Sequence, residues 1–360
     1  MFRCFCGKRV FITGHTGFKG SWLVLWLKKL GAEVYGYSID VPTEPANYKL
    51  SGVGMKLAGE AFADVRDAAR IESALRAFKP DVVFHLAAQP LVRRSYSSPV
   101  ETYGVNVMGT LAVLEAVRAV GCPCAVVCIT TDKCYENQER EAGYVESDPM
   151  GGFDPYSSSK GAAEILISSY RRSFFPTDEL NRHGVRLASV RAGNVIGGGD
   201  WAEDRIVVDV MGALAAGRVP VLRNPQAIRP WQHVLEPLSG YLALAEKMLT
   251  DTDSVWCSGW NFGPERENEI TVGELTEKFI KTWGGNCQYA VQTGGNPHEA
   301  GILRLSIEKA KTVLGWSPRW SITETVERTA RWYRRVLVSG DDAFTCCMGD
   351  IDAYSEECVK

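Results

Sequence analysis

A tyrosine and a lysine four residues apart form the most informative pattern for chemistry in this sequence. They lie in the segment Asp154-Pro-Tyr-Ser-Ser-Ser-Lys160. Asp154 is a favourable N-cap and Pro155 suits the first helical position, so Tyr156 and Lys160 share one helix face. A nearby ammonium and the positive end of the helix lower a phenol pKa from its usual value of about 10. We therefore expect Tyr156 to act as a base near neutral pH, the alternative being a surface pair on an amphipathic helix.

A glycine-rich loop follows the first predicted strand and is followed by a predicted helix. Its glycines are spaced G-x-x-G-x-x-G in Thr13-Gly-His-Thr-Gly-Phe-Lys-Gly20. Glycines let backbone N–H groups approach a pyrophosphate, and the helix N-terminus favours negative charge. A lone glycine pattern is weak evidence, but here the strand and helix context is present. The predicted cofactor-binding residues of the loop are Gly14, His15, Thr16, Gly17, Phe18, Lys19 and Gly20.

Two acidic residues after the next strands extend this predicted dinucleotide site. Asp40 ends the second strand, twenty residues past Gly20. A carboxylate there can accept hydrogen bonds from ribose hydroxyls and repels a 2′-phosphate, which favours NAD over NADP. Asp64 and Val65 follow the third strand region, where such folds contact adenine. The alternatives are a turn residue before Pro42 and an ordinary loop aspartate.

The elements that must position these residues alternate between buried strands and amphipathic helices. The predicted strands are Val10–Ile12, Glu33–Tyr37, Val82–Phe84, Ala125–Ile129 and Arg186–Val190. The predicted helices between them are Ser21–Leu30, Asp67–Phe78, Asn106–Val120 and Pro155–Ser173. This alternation predicts an α/β fold with a Rossmann-type, doubly wound parallel sheet covered on both faces.

The regular alternation of strands and helices ends after Arg191. We expect the rest of the chain to form a smaller C-terminal α/β lobe for the substrate. Its predicted helices are Ile206–Ala216, Leu238–Leu249, Val272–Thr282, Ser306–Leu314 and Thr323–Val338, with strands at Pro220–Leu222 and Gln288–Val291. The expected division is 1–190 for the NAD-binding domain and 191–360 mainly for this lobe. Part of 228–262 is expected to pack back onto the NAD domain.

Composition excludes several classes of protein. The 360 residues carry a net charge of −3, and a nucleic-acid-binding protein usually shows a strong basic excess. Eleven cysteines without paired C-x-x-C spacing, and no apolar stretch in Met1–Val10, lead us to expect a cytoplasmic protein without a metal site. The uncharged run Ala119–Thr131 is shorter than the roughly 20 residues of a membrane-spanning helix, so we expect no membrane partner.

The glycine loop and the tyrosine–lysine pair together resemble the extended branch of the short-chain dehydrogenase/reductase superfamily. The resemblance covers residues 7 to about 352 and implies that the C-terminal lobe, mainly 191–360, binds a nucleotide-sugar. Longer strings resemble the nucleotide-sugar 4,6-dehydratases of that branch, among them those that act on CDP-D-glucose. These strings are TGHTGFKGSWL (13–23), HLAAQPLV (85–92), TTDKCY (130–135), VRAGNVIGGGDW (190–201) and IRPWQHVLEPLSG (228–240).

The resemblance implies conversion of CDP-D-glucose to CDP-4-keto-6-deoxy-D-glucose plus water, for deoxysugar and lipopolysaccharide O-antigen biosynthesis. Hydride passes through bound NAD, which is regenerated. Tyr156, with Lys160, takes the C4 hydroxyl proton. Thr131 hydrogen-bonds the C4 oxygen, and Asp132 protonates the departing C6 oxygen. Related dTDP-sugar dehydratases have glutamate where this chain has Lys133, which is either a neutral C5 base or a charged group that steadies the enolate.

Further binding residues follow from the same resemblance and from the chemistry of a pyrophosphate, which arginine pairs well. The additional cofactor positions are Ala87, Ala88, Gln89 and Asn106. The substrate positions are Gln89, Arg94, Asn194, Trp201, Arg205, Arg229 and Arg304. Each arginine has a structural ion pair as its alternative, and Trp201 either stacks on the base or packs a lobe interface. His85 is expected to orient the end of its strand, and His233 is a core histidine or a ligand.

The sequence leaves two rival functions and the oligomeric state undecided. A nucleotide-sugar 4-epimerase keeps Tyr156 and Lys160 but does not need Asp132. A non-catalytic NAD-sensing regulator on this fold usually loses the tyrosine–lysine pair. The family implies a homodimer or a dimer of dimers, with Asn106–Val120 and Pro155–Ser173 of each subunit forming a four-helix bundle.

Overall fold

The centre of the molecule is a parallel sheet of seven strands. A computed structural model describes residues 2–284, 286, 288–292 and 302–356. The strands are β1 (Arg9–Thr13), β2 (Glu33–Ser38), β3 (Gly59–Phe62), β4 (Val82–His85), β5 (Cys124–Ile129), β6 (Val185–Ala192), β7 (Val195–Ile196), β8 (Val221–Leu222), β9 (Ile228–Pro230), β10 (Gln232–His233), β11 (Gly259–Phe262), β12 (Glu269–Thr271) and β13 (Ala290–Val291). The main sheet has the order β11-β6-β5-β4-β1-β2-β3.

Helices cover both faces of this sheet. They are α1 (Phe18–Lys29), α2 (Asn47–Leu50), α3 (Ala68–Phe78), α4 (Val92–Ser97), α5 (Pro99–Tyr103), α6 (Gly109–Val120), α7 (Pro155–Ser173), α8 (Leu180–His183), α9 (Ile206–Ala215), α10 (Leu235–Thr250), α11 (Val272–Trp283), α12 (Ile322–Arg334) and α13 (Ala343–Glu356). One apolar core contains side chains of α1, α10 and α13, and the other contains side chains of α3, α6 and α7. The predicted Rossmann-type, doubly wound sheet is confirmed.

The C-terminal half of the chain adds a strand to the main sheet and packs helices against it. β11 pairs in parallel with β6 at the sheet edge, from Gly259 opposite Ser189 to Phe262 opposite Ala192. α10 contacts β5, and α13 contacts α1 and α2. The small pairs β7–β10, β8–β13 and β9–β12, with α9, α11 and α12, make up the rest of this half.

One helix of the described ranges, Pro99–Val120, is long and apolar enough to span a membrane by length and composition alone. It consists of α5 and α6 joined by a π-helical turn, Gly104–Met108. The α6 part packs between α3 and α7 on one face of the sheet. A buried core helix can also meet this criterion of length and composition, so the criterion does not distinguish a core helix from a membrane-spanning helix.

Candidate active site

The glycine loop is packed too closely for any side chain at two of its glycines. Gly14 has φ +76°, and a Cβ there would lie 2.7 Å from the backbone nitrogen of Ala87. A Cβ on Gly20 would lie 2.1 Å from the Gly14 carbonyl oxygen. Gly17 begins α1 without any side-chain cap, so the N–H groups of the first turn have no side-chain acceptor. This cradle fits the pyrophosphate of a dinucleotide.

Two side chains of the loop are turned into the protein and fasten the loop to β2. The buried His15 ring is 2.8 Å from Ser38 Oγ through Nδ1 and 3.1 Å from Glu60 Oε2 through Nε2. Burial lowers the pKa of His15, so the ring is neutral at pH 7. Thr16 donates its hydroxyl hydrogen to the Asp40 carbonyl oxygen at 2.7 Å.

Phe18 and Lys19 leave the same loop toward the C-terminal half of the chain. The Phe18 ring lies 3.3 Å from where a Cβ on Gly197 would be. Burial lowers the pKa of Lys19 to about 7, with the Arg205 charge acting in the same direction and Asp132 opposing it. The charge state of the Lys19 side chain therefore depends on the charges of its neighbours.

The acidic residues predicted to bind the nucleoside lie after β2 and β3. Asp40 is exposed beyond the end of β2. The Asp64 carboxylate accepts from Arg66 Nε at 2.9 Å, and this bond holds the pKa of Asp64 below its usual range. Val65 is buried against Gly109. Asp40 is thus the more accessible of the two carboxylates.

The segment after β4, which contains Ala87, Ala88 and Gln89, is held by an internal hydrogen-bond network. Ala87 N donates to Thr13 Oγ1 at 3.2 Å. Gln89 N donates to Asn106 Oδ1 at 2.9 Å, and Asn106 Nδ2 donates to Gln89 O at 3.1 Å. The Gln89 side chain bonds Thr102 Oγ1 at 2.9 Å. Gln89 and Asn106 are buried, and their side chains shape the loop from inside.

The two histidines left open by the sequence are both buried and neutral. His85 bridges Thr13 Oγ1 at 2.7 Å and Thr110 Oγ1 at 3.0 Å, which joins the ends of β4 and β1 to α6. Burial lowers the pKa of His85 to about 3. His233 packs against the Trp22 and Trp320 rings, and burial lowers its pKa to about 3 as well. Both therefore have structural environments.

Tyr156 lies in the first turn of α7, as its sequence predicts. Asp154 caps this helix by accepting from Ser157 N at 2.9 Å. Burial raises the pKa of Tyr156 to about 12, while a hydrogen bond with Thr131 and the Arg205 charge act in the opposite direction. The expected lowering of this phenol pKa is wrong, because desolvation of the buried ring outweighs the nearby cations.

Lys160 points from α7 toward the end of β5. Its Nζ donates to the Ile129 carbonyl oxygen at 3.4 Å. Burial lowers the pKa of Lys160 to about 8, and the carboxylate of Glu164, one turn further along α7, opposes that shift. The ammonium form is therefore sustained by Glu164 near neutral pH.

Asp132 and Lys133 follow β5 and lie beside Tyr156. Asp132 is 1% exposed, and its Oδ1 accepts from Thr131 Oγ1 at 2.9 Å. Its Oδ2 is shielded from solvent and has no hydrogen-bond partner among the described residues. The half-buried Lys133 Nζ is 3.9 Å from Asp132 Oδ1. A buried carboxyl oxygen without a partner is costly, and such groups are typical of sites that bind or react.

The remaining substrate candidates fall into two groups. Arg205 makes no ion pair within the described part of the chain, and its Nε is shielded from solvent without an acceptor. Its charge acts on Tyr156 and Lys19, so it faces the same space. The Asn194 backbone carbonyl accepts from Gln232 N at 3.1 Å.

The other candidates are engaged with local partners. Arg94 donates to both carboxylate oxygens of Glu101, at 2.9 and 3.0 Å. Arg304 pairs with Glu269 at 2.5 Å, and Arg229 donates to the Ile228 carbonyl oxygen at 2.9 Å. The Trp201 ring contacts Trp332 and Tyr333 with centroids 6.4 and 5.3 Å apart. The structure thus gives Arg94 and Arg304 ion pairs and gives Trp201 a packing contact.

Two buried carboxylates near the site were missed by the sequence reasoning. Asp200 is buried, and the charges of Arg205 and Lys19 act on it. Glu164 accepts from Arg191 Nη2 at 2.8 Å and from Thr130 Oγ1 at 2.5 Å. Its place one turn beyond Lys160 was the available signal, since residues at i and i+4 share a helix face.

We call the convergent side chains the Tyr156 cluster, which consists of Lys19, Asp132, Tyr156, Lys160, Asp200 and Arg205. A separate groove of about 470 Å³ lies between α11 and α12 and includes none of them. The cluster therefore stands out by its chemistry rather than by the size of a cavity. It combines a phenol, two buried carboxyl groups and three basic side chains beside the glycine loop.

Comparison with known proteins supports this interpretation. Residues 11–329 match the family model described as GDP-mannose 4,6 dehydratase. The chain is 49% identical over 348 residues to CDP-glucose 4,6-dehydratase of Salmonella typhimurium, covering 97% of this chain and 96% of that protein.

Solved structures agree on the fold. The dTDP-glucose 4,6-dehydratase of Streptomyces venezuelae, crystallised with NAD, has a TM-score of 0.75 at 23% identity and covers 91% of this chain and 97% of its own. The UDP-glucose 4-epimerase of Thermus thermophilus, also with NAD, has a TM-score of 0.75 at 25% identity, covering 91% and 99%. The fold alone therefore does not separate the two activities.

Proposed function

The chain belongs to the GDP-mannose 4,6-dehydratase family, and from this premise we propose that it removes water from CDP-D-glucose. The product is CDP-4-keto-6-deoxy-D-glucose. The reaction is an internal redox reaction followed by elimination, so the enzyme is a hydro-lyase. The nucleotide follows the name of the Salmonella relative, and the chemistry follows the Tyr156 cluster.

The observation that carries the proposal is the buried, unpartnered Oδ2 of Asp132 beside Tyr156. A 4-epimerase needs a base at the C4 hydroxyl and a hydride acceptor, and no group at C6. A 4,6-dehydratase needs in addition an acid that protonates the departing C6 oxygen. Asp132 supplies a carboxyl group whose free oxygen can hold that proton.

NAD is the cofactor that fits the cradle. Gly14, Gly17 and Gly20 would admit its pyrophosphate, and the exposed Asp40 carboxylate would receive ribose hydroxyls. When bound, NAD supplies the hydride acceptor for C4 and the hydride donor for C6. His15, Gln89 and Asn106 act indirectly in this proposal, because their side chains hold the loops in place.

Tyr156 takes the C4 hydroxyl proton during oxidation. Burial raises the pKa of Tyr156 to about 12, and the Thr131 hydrogen bond and the Arg205 charge favour the phenolate against that shift. Lys160 lies one turn further along the same helix and keeps its charge beside Glu164. Thr131 is placed to hydrogen-bond the C4 oxygen, since it already bonds Tyr156 and Asp132.

The second half of the reaction uses Asp132 and Lys133. The C4 ketone acidifies the C5 proton, which Lys133 removes in its neutral form or whose loss it assists as a cation beside the enolate. Asp132 donates a proton to the departing C6 oxygen. Asp132 Oδ1 lies 3.9 Å from Lys133 Nζ, so the proposed acid and base are close neighbours.

Arg205 is the strongest candidate for the substrate pyrophosphate among the proposed arginines. It has no ion pair in the described structure, whereas Arg94 and Arg304 already have carboxylate partners. A planar guanidinium binds phosphate oxygens bidentately. Asn194 lies in the loop after β6 and remains a proposed phosphate contact.

Mass spectrometry of products tests the proposal. The purified protein is incubated with NAD and, separately, with CDP-, dTDP-, GDP- and UDP-glucose. Loss of one water from CDP-glucose is the expected result, with Tyr156→Phe as the inactive control. A product of unchanged mass that separates from the substrate by chromatography as its C4 epimer would establish the epimerase instead, and no turnover of any sugar would favour the regulator.

We also propose a homodimer, or a dimer of dimers, formed through α5, α6 and α7. These helices and the π-helical turn between α5 and α6 expose apolar side chains, among them Val100 at 86%, Met108 at 54% and Ile165 at 60%. Exposed apolar patches of this kind mark interfaces. A cytoplasmic location and a place in deoxysugar synthesis for lipopolysaccharide complete the proposal. The nine described cysteines, all unpaired, support a reducing compartment.

A further inference from the structure

An ion-pair bridge lies directly before Arg205. Asp204 Oδ1 is 3.0 Å from Arg223 Nη1 and 3.5 Å from Arg93 Nη1. Asp204 has φ +59°, a left-handed conformation that is uncommon outside glycine and that aspartate tolerates better than most residues. One carboxylate therefore receives two guanidinium groups at a tight backbone turn.

The two arginines come from distant parts of the fold. Arg93 lies on α4, in the segment that follows β4 of the main sheet. Arg223 follows β8, which pairs with β13 in the C-terminal half. Asp204 thus ties the loop before α9 to both halves of the chain.

This bridge directly precedes a residue of the Tyr156 cluster. Arg205 is the N-cap of α9, and its own guanidinium has no partner in the described structure that would hold it near the Tyr156 cluster. The backbone turn at Asp204 supplies that direction. If the turn relaxes, a long arginine side chain gains many other orientations, and the charge it places near Tyr156 and Lys19 is dispersed.

We propose that Asp204 is a positioning residue that fixes Arg205 for the substrate pyrophosphate by bridging Arg93 and Arg223. The proposal rests on the proposed function, since it assigns Arg205 to the same nucleotide-sugar. It predicts that loss of the Asp204 charge weakens substrate binding, whereas simple electrostatics predicts stronger binding. Removing a negative charge beside an anion site strengthens anion binding by Coulomb attraction alone. Loss of a positioning carboxylate weakens it instead.

Asp204→Asn tests this sign. Asparagine keeps the size of the side chain and can still adopt the left-handed conformation, but the two ion pairs that hold the turn in place are lost. Glu203→Gln is the matched control, because it removes the same charge from the neighbouring exposed residue, which has no ion pair in the described structure. Steady-state kinetics with CDP-glucose and saturating NAD separate KM from kcat, and thermal melts check that both variants fold.

We expect Asp204→Asn to raise KM by about three- to tenfold, the range for losing two partly exposed ion pairs, with kcat within about twofold of wild type. Glu203→Gln should leave KM unchanged or lower it. The double variant Asp204→Asn/Arg223→Gln should be no worse than Asp204→Asn alone, because the bridge is already broken.

A KM for Asp204→Asn equal to or below that of wild type would overturn the proposal, as would fully additive effects in the double variant. A wild-type enzyme that does not turn over CDP-glucose would refute the proposed function itself, which is a different result. The two failures are therefore distinguishable.

Discussion

Replacement of Asp132 by asparagine separates the two halves of the proposed reaction. Asparagine has nearly the same volume and keeps an oxygen that can accept the Thr131 hydroxyl hydrogen, a bond of 2.9 Å. It cannot donate a carboxylic acid proton to a leaving oxygen. Oxidation at C4 depends on Tyr156 and should persist, whereas elimination should fail.

The expected size of the effect follows from the position of the carboxyl group. The Asp132 side chain is 1% exposed, so bulk water has little access to its oxygens. General acid catalysis contributes about 10²- to 10⁴-fold, which corresponds to about 2.7–5.4 kcal/mol of barrier. We expect kcat for product formation to fall by that factor. The free energy of unfolding should change by less than about 1 kcal/mol, because no packing is lost.

The assay is a single turnover with excess enzyme and CDP-glucose, followed by NADH absorbance and by product mass. Asp132→Asn should accumulate NADH and form almost no dehydrated product. Glu136→Gln, an exposed carboxylate in the same segment, should behave as wild type. Normal dehydration by Asp132→Asn, or loss of the NADH signal together with dehydration, would refute the assignment of Asp132 as the C6 acid.

Four further predictions concern the surrounding residues. Lys133→Met should abolish the product yet allow transient NADH, and full product formation would contradict its role in elimination. Arg205→Gln should shift the rise of kcat/KM to higher pH, because the Arg205 charge lowers the pKa of Tyr156; an unmoved or acid-shifted profile would contradict this. Glu164→Ala should lower the free energy of unfolding by about 3–5 kcal/mol in urea titration, since it leaves the buried Arg191 unpaired, and a loss below about 1 kcal/mol would show that the pair is dispensable. Ile165→Glu should shift the protein to monomer in light scattering if α7 lies in the dimer interface, and an unchanged mass would place the interface elsewhere.

The strands that were predicted and the strands that were missed differ in how they are buried. β1, β4, β5 and β6 are almost fully buried, so their apolar runs are visible in the sequence. β3 alternates between half-buried and exposed residues, which weakens its signal. β11 pairs with β6 although the two strands are nearly seventy residues apart in the chain. No local sequence pattern predicts that pairing.

The backbone part of the site could be predicted because it depends on local chemistry. Gly14 and Gly20 permit close approach wherever they occur, and Asp154 and Pro155 begin a helix by their own geometry. Ion-pair partners could not be predicted in this way. Glu269 lies 35 residues from Arg304, and only the fold brings the two together.

The sign of the Tyr156 pKa shift was missed for a related reason. The sequence shows that Lys160 is on the same helix face and that the helix end is near, and both effects favour the phenolate. It does not show how deeply the ring is buried. In the structure Tyr156 is 8% exposed, and desolvation is the largest influence on its pKa.

The proposed roles of Asp132 and Lys133 become compatible when the protons are counted. An ion pair between them, with Nζ 3.9 Å from Oδ1, holds one proton on the lysine. Elimination needs a neutral lysine at C5 and a protonated carboxyl at C6. The two arrangements contain the same number of protons. Transfer of one proton from Lys133 to Asp132 therefore produces the neutral base and the protonated acid in one step. This proton count supports the proposed roles and predicts that either single replacement stops elimination while oxidation by Tyr156 continues.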